Sequence, residues 1–158
     1  MKHYLVKDWM EAKVITAGPN MGMLEAHRLM GRNKIRRLPI VGRHGKLLGI
    51  VTRSDVRQAE PSEATTLNVW EMNYLLAKLQ LKDIMTADPF NVQADDTIKT
   101  AATLMHKNKI GALPVLDDEK RVIGILTESD VFRVLIEWFD EEMESGSEEE
   151  LSGASPAE

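Results

Sequence analysis

The sequence predicts a mixed α/β (α+β) fold, built from two β-α-β-β-α repeats that pack about a pseudo-twofold axis. The first observation is an internal duplication. Residues 5–57 align without a gap on residues 80–132, and 18 of the 53 aligned pairs are identical. The second observation is that helical and β-rich patterns alternate in the same order in both copies. Because one copy alone buries little surface, the two copies are expected to pack on each other.

Each copy is expected to open with a short strand followed by a helix. The strand is predicted near Val14–Ile15 in the first copy and near 90–92 in the second. The helix is expected to be capped by Asn20 in the first copy and by Asp95 or Asp96 in the second. Short polar side chains ahead of apolar residues with a 3.6-residue period are typical of helix N-termini.

Each copy continues with two β-rich runs and ends in a second helix. The runs lie at 38–41 and 47–52, and again at 113–116 and 122–127. The second helix is predicted to begin at Ser54–Asp55 and at Ser129–Asp130, since serine and aspartate favour the first turn of a helix.

The chain therefore divides into four predicted segments. They are repeat one (1–60), a linker with an amphipathic helix (61–79), repeat two with a long terminal helix (80–144) and a disordered acidic tail (145–158). Asn68 is expected to cap the linker helix, whose apolar side comprises Val69, Met72, Leu75, Leu76 and Leu79.

The terminal helix carries two apolar stripes at i, i+4, i+7 spacing. They consist of Val131, Leu135 and Trp138, and of Phe132, Ile136 and Phe139. One stripe suffices to dock the helix on its own repeat. The other predicts a homodimer, in which a second subunit covers the surplus apolar surface.

Composition excludes several classes of protein. With 158 residues and no cysteine, the chain has neither disulfides nor thiolate metal sites. No apolar run approaches the roughly 18 residues that a membrane span needs, and we see no secretory signal, so we expect a cytoplasmic protein with no membrane partner. No nucleophile motif, phosphate loop or metal-ligand spacing is present, which predicts no catalytic residue and no metal.

Charge is distributed unevenly along the chain. Residues 1–57 hold 12 Lys/Arg against 4 Asp/Glu, whereas residues 137–158 hold no Lys/Arg and 9 Asp/Glu. A phosphate-bearing ligand would therefore find its counter-charge in the first part of the chain. A nucleic-acid partner is disfavoured, because the basic residues are not matched by an aromatic platform or a second basic half.

The repeated motifs resemble a known family. The segments LMGRNKIRRLPIVGRHGKLLGIVTRSDV and LMHKNKIGALPVLDDEKRVIGILTESDV are similar to CBS domains, arranged as a tandem pair or Bateman module. The resemblance covers roughly residues 5–137. The linker between the copies resembles that of stand-alone CBS pairs of the acetoin-utilisation B type.

The resemblance implies an adenosyl ligand in clefts between the repeats: AMP, ADP, ATP or S-adenosylmethionine. It assigns Thr52 and Thr127 to phosphate or ribose contact, and Asp55 and Asp130 to the ribose diol. The adenine pocket would be lined by the remaining matched positions: Val14, Ile15, Ile35, Arg36, Arg37, Pro89, Phe90, Ile110, Gly111 and Ala112. Two plainer readings stay open, namely that Asp55 and Asp130 act only as helix caps and that Arg36–Arg37 is a solvated surface.

The two copies differ beside the Thr-x-Ser-Asp motif. Copy one has Arg36, Arg37 and Arg53, where copy two has Gly111, Ala112 and Glu128. Guanidinium groups suit phosphate and a carboxylate repels it, so we expect unequal sites, with the polyphosphate end held by copy one.

These observations predict a regulatory ligand-sensing module and not an enzyme. Without an effector domain, occupancy would act through the oligomer or through an effector protein that the sequence does not identify. The alternative is a constitutive dimerisation or scaffold protein with vestigial ligand sites. A third hypothesis is a nucleic-acid binder that uses the basic first half.

Overall fold

The computed structural model describes residues 4–62 and 66–152. The helices are α1 (Val6–Trp9), α2 (Met23–Asn33), α3 (Arg53–Ala59), α4 (Val69–Lys78), α5 (Leu81–Ile84), α6 (Ile98–Asn108) and α7 (Glu128–Ser152). The strands are β1 (Arg37–Val41), β2 (Leu47–Thr52), β3 (Thr86–Ala87), β4 (Val92–Gln93), β5 (Ala112–Leu116) and β6 (Val122–Thr127). The mixed α+β class predicted from the sequence is confirmed.

Two small sheets carry the two repeats. In the first sheet, of order β1-β2-β3, all neighbours are antiparallel. In the second, of order β4-β5-β6, β4 runs parallel to β5, and β5 and β6 are antiparallel. The two central hairpins have the same register, because Arg37 faces Thr52 in one and Ala112 faces Thr127 in the other.

The two sheets are related by pseudo-twofold symmetry, and each borrows a segment from the other repeat. Strand β3 lies at the start of the second repeat, yet it pairs with β2 of the first, where Thr86 faces Ile50. The equivalent pairing in the second sheet is the bridge between Glu11 and Ile125. The axis passes near the bridge between Lys46 and Arg121, which occupy matched positions of the two repeats.

The short helices are exchanged between the cores in the same way. Val6 of α1 is fully buried in the second core, beside Val92 and Ile98. Leu81 of α5 is fully buried in the first core, beside Met23 and Leu38. Each core therefore includes an apolar residue from the start of the other repeat.

Several local predictions need correction at the first strand and at the helix caps. Val14 and Ile15 form no strand, and Ala17 alone bridges to Ile40; two residues further on, Pro19 has no N–H to continue a ladder. Helix α2 begins after Gly22, without the predicted cap from Asn20.

The caps or first residues of α3, α6 and α7 differ from the prediction by one or two residues. Thr97 caps α6, its hydroxyl accepting from the Thr100 N–H, because Asp96 instead accepts from the Gln93 N–H and Asp95 pairs with Lys7. The second helices begin at Arg53 and Glu128, one residue earlier than predicted. Asn68 caps α4 as predicted.

The apolar faces of α4 and α7 are used differently from the prediction. On α4, Leu76 packs against the first core together with Leu79, but Val69 and Leu75 are exposed. On α7, the docked residues are Val131 and Val134. Docking at 131 and 134 rotates the helix so that both predicted stripes keep exposed residues: Leu135 and Trp138 in one, Phe132, Ile136 and Phe139 in the other.

Helix α7 also runs further than predicted. It ends at Ser152, so residues 145–152 are helical where we expected disorder. Once docking has nucleated the helix, further residues extend it without the free-energy cost of a new nucleus, and glutamate has a good helix propensity. The last part of the predicted tail, 153–158, lies outside the described residues.

Candidate functional site

The Thr-x-Ser-Asp turns are held together by their own threonine and aspartate. In the first turn, the Thr52 N–H donates to Asp55 Oδ2 at 2.7 Å, and the Asp55 N–H donates to Thr52 Oγ1 at 3.1 Å. In the second, Asp130 Oδ2 accepts from the Thr127 N–H at 2.8 Å and from the Thr127 hydroxyl at 2.9 Å. Both aspartates therefore cap a helix through one carboxylate oxygen.

The other carboxylate oxygen distinguishes the two turns. Asp55 is partly exposed, and its Oδ1 makes no hydrogen bond with any described residue. Asp130 is buried, and its Oδ1 lies 3.5 Å from Nη1 of Arg133. The first turn therefore presents a free acceptor, whereas the second has part of its capacity engaged by a neighbouring guanidinium.

A cavity of about 530 Å³ lies in front of the first turn. Repeat one contributes Thr52 and Asp55, and the opposite wall comes from repeat two, through residues 86–90 and 109–112. We call this cavity the Thr52 cleft. The borrowed strand β3 places residues 86–90 there, because its pairing with β2 brings the start of repeat two against the first sheet.

A second cavity, of about 470 Å³, lies in front of the second turn. Residues 127–130 of repeat two face Glu11 and residues 34–37 of repeat one across it. We call it the Thr127 cleft. A shift of 75 positions carries Thr52, Asp55 and residues 109–112 of one cleft onto Thr127, Asp130 and residues 34–37 of the other, so the clefts are pseudo-symmetric in these parts and each contains residues of both repeats. Residues 87–90 line only the Thr52 cleft.

Most predicted site residues line one of these clefts. Those in the Thr52 cleft are Arg37, Thr52, Asp55, Pro89, Phe90, Ile110, Gly111 and Ala112. Those in the Thr127 cleft are Ile35, Arg36, Arg37, Gly111, Thr127 and Asp130. Arg37 and Gly111 thus lie between the clefts and contribute to both.

Three predicted site residues are placed elsewhere. Val14 and Ile15 line neither cleft, and Ile15 instead packs against the first core. Of residues 11–15, only Glu11 lines the Thr127 cleft, because it is the residue that bridges to β6. Arg53 lines a separate cavity whose walls come from repeat one alone.

Arg36 and Arg37 do not both line the cleft in front of the Thr52 turn, the turn of their own repeat. We had grouped Arg36 and Arg37 with the Thr52 turn, since all three belong to copy one. Arg36 lines the Thr127 cleft, opposite Glu128, and only Arg37 also reaches the Thr52 cleft. Each cleft combines the turn of one repeat with the wall of the other, so the lining of the clefts does not follow the copies. The cavity that Arg53 lines does bring Arg36 and Arg37 together with Thr52.

The clefts also contain charged residues that we had not singled out. Lys109 and Asp88 line the Thr52 cleft, and Lys34 and Glu11 line the Thr127 cleft. A sequence signal existed for the lysines, which occupy matched positions in the repeated Asn-Lys-Ile segment. Both adopt a left-handed backbone, with φ of 53° at Lys34 and 56° at Lys109, and so end helices α2 and α6.

Comparison with known proteins identifies the family. The CBS domain model matches residues 6–62 and 81–137. The chain belongs to the CBS domain family. Its two matches form a tandem CBS pair. A curated relative, the L-aspartate semialdehyde sulfurtransferase of Methanocaldococcus jannaschii, is 34% identical over 82% of this chain, but the match spans only 23% of that protein.

Solved CBS pairs share the fold over nearly their whole length. The CBS pair of protein MJ0100, solved with 5'-methylthioadenosine and S-adenosyl-L-methionine, is 33% identical, with a TM-score of 0.70 over 85% of this chain and 97% of that chain. CBSX2 in complex with AMP is 26% identical, with a TM-score of 0.73 over 85% and 97%. A Vibrio cholerae protein assigned to acetoin utilisation (AcuB) is 30% identical, with a TM-score of 0.73 over 90% and 98%.

Two further observations concern the described part of this CBS pair. None of the described helices is long and apolar enough to cross a membrane. Within the same residues, no group of three or more His, Asp or Glu side chains is arranged to hold a metal ion.

Proposed function

We propose that this CBS pair is a regulatory module that binds an adenosyl ligand in the clefts between its repeats. The observation that carries the proposal is the pairing of each Thr-x-Ser-Asp turn with a wall of the other repeat across a cavity of 530 or 470 Å³. A cavity of that volume accommodates a nucleoside. A ligand there touches both repeats, so its binding energy depends on their relative position.

The Thr52 cleft suits a ribose and a base. The free Oδ1 of Asp55 is available to accept hydrogen bonds from a vicinal diol, and the Thr52 hydroxyl lies beside it. Pro89, Phe90 and Ile110 supply an apolar wall for a purine. Solved relatives in complex with AMP and with S-adenosyl-L-methionine support the same ligand class.

Titration calorimetry with AMP, ADP, ATP and S-adenosylmethionine tests the ligand class. We expect at least one of the four to bind, and Asp55→Asn to weaken that binding by about tenfold or more, because the variant loses a charged acceptor. The matched control is Asp83→Asn. Asp83 caps α5 through an equivalent bond, from the Gln80 N–H at 2.9 Å, and lines neither cleft.

The control separates ligand contact from helix capping. If both variants lose the same affinity, Asp55 acts through the stability of its turn and the ribose role is wrong. If a folded protein binds none of the four ligands, the sensor proposal fails and the scaffold function takes its place.

We further propose that the module acts as a homodimer through the outer faces of α4 and α7. Large apolar side chains are exposed there, with Trp70 84% exposed on α4 and Phe132 61% and Ile136 60% exposed on α7. In a dimer with twofold symmetry, the apolar faces of the two subunits cover each other, whereas in a monomer this face is exposed to water. The same surface would serve the scaffold function, so it supports assembly in either case.

Light scattering of the full chain tests the dimer. Ile136→Glu should shift the mass from dimer to monomer, because a carboxylate in a dry interface is strongly unfavourable. Glu137→Gln, at the neighbouring position of α7, should leave the dimer unchanged. A wild-type monomer at micromolar concentration contradicts the proposal.

A further inference from the structure

A third cavity, of about 620 Å³, is lined by residues of repeat one alone and is distinct from the two clefts between the repeats. Its charged lining consists of His27 from α2, Arg36 and Arg37 at the start of β1, and Arg53 and Arg57 on α3. We call it the outer basic pocket. The rest of its wall is formed by Thr52 and Ser54, so no acidic residue lines it.

The outer basic pocket differs electrostatically from both clefts. In the Thr52 cleft, Arg37 and Lys109 face Asp55 and Asp88. In the Thr127 cleft, the lysine and two arginines of residues 34–37 face three carboxylates: Glu11, Glu128 and Asp130. An anion therefore meets balanced charge in either cleft and unbalanced positive charge in the outer basic pocket.

His27, Arg53 and Arg57 line neither cleft, whereas Arg36 and Arg37 also face carboxylates in the clefts. None of the five forms an ion pair or a hydrogen bond with a described carboxylate. Arg53 and Arg57 are spaced i, i+4 on α3, an arrangement that costs free energy for like charges. A bound polyanion removes that repulsion, and guanidinium groups bind phosphate oxygens in bidentate fashion.

The other repeat provides an internal comparison with the same backbone. The Arg53 N–H donates to the Arg36 carbonyl at 2.9 Å, and the Glu128 N–H donates to the Gly111 carbonyl at 3.1 Å in the equivalent place. Three of the five basic residues are replaced within the matched cavity of repeat two, which has Ala102, Glu128 and Phe132 at the positions of His27, Arg53 and Arg57. The cations of that cavity are His106 and Lys109, and Glu128 lines it with them. Backbone geometry alone therefore does not create the basic pocket. It depends on side chains that only repeat one carries.

From these observations we infer that the outer basic pocket binds an oligophosphate, and that its counterpart in repeat two does not. One source of such a group is the phosphate tail of a nucleotide in the Thr52 cleft, because Arg37 and Thr52 line both cavities. The other source is a free oligophosphate. The nucleotide as the source rests on the proposed function, whereas the free oligophosphate as the source is independent of it.

The test is calorimetry of the full chain with tripolyphosphate, AMP and ATP at fixed ionic strength. Two variants remove the positive charge, Arg57→Ala and Arg53→Glu, the latter copying repeat two. The control is Arg32→Ala, which removes the same charge from an exposed position of α2 that does not line the pocket. Thermal unfolding confirms that each variant is folded.

We expect the pocket variants to lower the affinity for tripolyphosphate or for ATP about tenfold, and the control to lower it less than twofold. A loss of affinity for ATP, with the affinity for AMP unchanged, identifies the phosphate tail of the nucleotide as the group that the pocket binds. Loss for tripolyphosphate identifies the free anion, and this result supports the inference even where no nucleotide binds.

Two results would overturn the inference. One is an equal loss in Arg32→Ala and in the pocket variants, which reduces the effect to general surface charge. The other is unchanged affinity for both phosphate ligands in Arg57→Ala and Arg53→Glu. Nucleotide binding that survives in those variants would leave the proposed function standing while the oligophosphate site fails.

Discussion

At the scale of single residues, the two matched aspartates illustrate how one motif acquires two environments. Asp55 and Asp130 cap equivalent helices with the same carboxylate oxygen. Asp55 stays partly exposed, while Asp130 is 8% exposed and is also contacted by the Thr127 hydroxyl and Arg133. The local motif is the same, and one difference is a residue on the following turn of helix: Arg133 of α7 occupies the position of Gln58 in α3.

The burial of Asp130 leads to a stability prediction. Asp130→Ala removes three polar contacts at a buried position and should lower the free energy of unfolding by about 2–3 kcal/mol. Asp55→Ala removes the same kind of cap at a partly exposed position and should cost only about 1 kcal/mol. Urea unfolding of both variants measures the difference. Equal losses would show that burial of Asp130 contributes nothing.

A second prediction at this scale concerns acid sensitivity in the β5–β6 turn. Asp117 accepts from the Arg121 N–H, the Arg121 Nε and the Glu119 N–H. These donors, led by the Arg121 backbone N–H, hold the pKa of Asp117 below its usual value. A lowered folded-state pKa adds stability above the unfolded-state pKa, and that stability is lost as the pH falls through the folded-state pKa.

Asp117→Asn should therefore be less stable than wild type at neutral pH, with the gap closing as the pH falls below the ordinary carboxyl pKa. The effect is expected to be small, because the turn is open to solvent. Urea unfolding at about pH 7 and about pH 3 measures it. Asp118→Asn in the same turn is the control, and a pH dependence shared by both variants would exclude the Asp117 hydrogen bonds as its cause.

At the scale of elements, close approach between exchanged segments explains two matched glycines. A Cβ on Gly124 would lie 2.6 Å from Met10 Sδ and 3.1 Å from the Glu11 carbonyl oxygen. A Cβ on Gly49 would lie 2.5 Å from Met85 Sδ and 2.9 Å from the Thr86 carbonyl oxygen. The segment that each repeat lends to the other sheet therefore passes directly over a glycine.

A side chain at either glycine should weaken the packing of the exchanged segment on the sheet. Gly124→Ala is expected to lower the free energy of unfolding by about 1–3 kcal/mol, because the Glu11 backbone cannot yield as a side chain can. The control is Gly31→Ala on α2, where no atom lies within 4 Å and alanine is the better helix former. That variant should gain about 0.5–1 kcal/mol. A neutral Gly124→Ala would show that the crossing is loosely packed.

At the scale of the whole molecule, the repeats in the chain are not the folding units. The first core contains Leu81, and the second contains Val6. Cutting the chain between the repeats therefore removes a fully buried residue from each core, together with the segment that completes each sheet.

This arrangement predicts that the halves depend on each other. Fragments 1–66 and 67–158 should each lack cooperative thermal unfolding when alone, because each loses part of its core and leaves a sheet edge unpaired. Mixing the two fragments at equimolar ratio should restore cooperative unfolding, which circular dichroism measures. Cooperative unfolding of either isolated fragment would contradict the interdependence.

The sequence by itself determined the duplication, the mixed α+β class, the central hairpins and the two Thr-x-Ser-Asp turns. These features depend on local patterns, and a shift of 75 positions makes each one visible twice. Most residues that the family resemblance assigned to a site, among them Pro89, Phe90 and Gly111, line one of the clefts, and their contact with a ligand stays a prediction.

Only the tertiary structure decided which turn faces which wall. The exchange of β3 and of the Glu11 bridge places Arg36 opposite Glu128, far along the chain, and leaves Arg53 and Arg57 in a pocket of their own. Pairing across a pseudo-twofold axis leaves no local signature, because either repeat could pair within itself with the same strand pattern. The choice follows from the packing of the whole chain, where Val6 and Leu81 each complete the core of the opposite repeat.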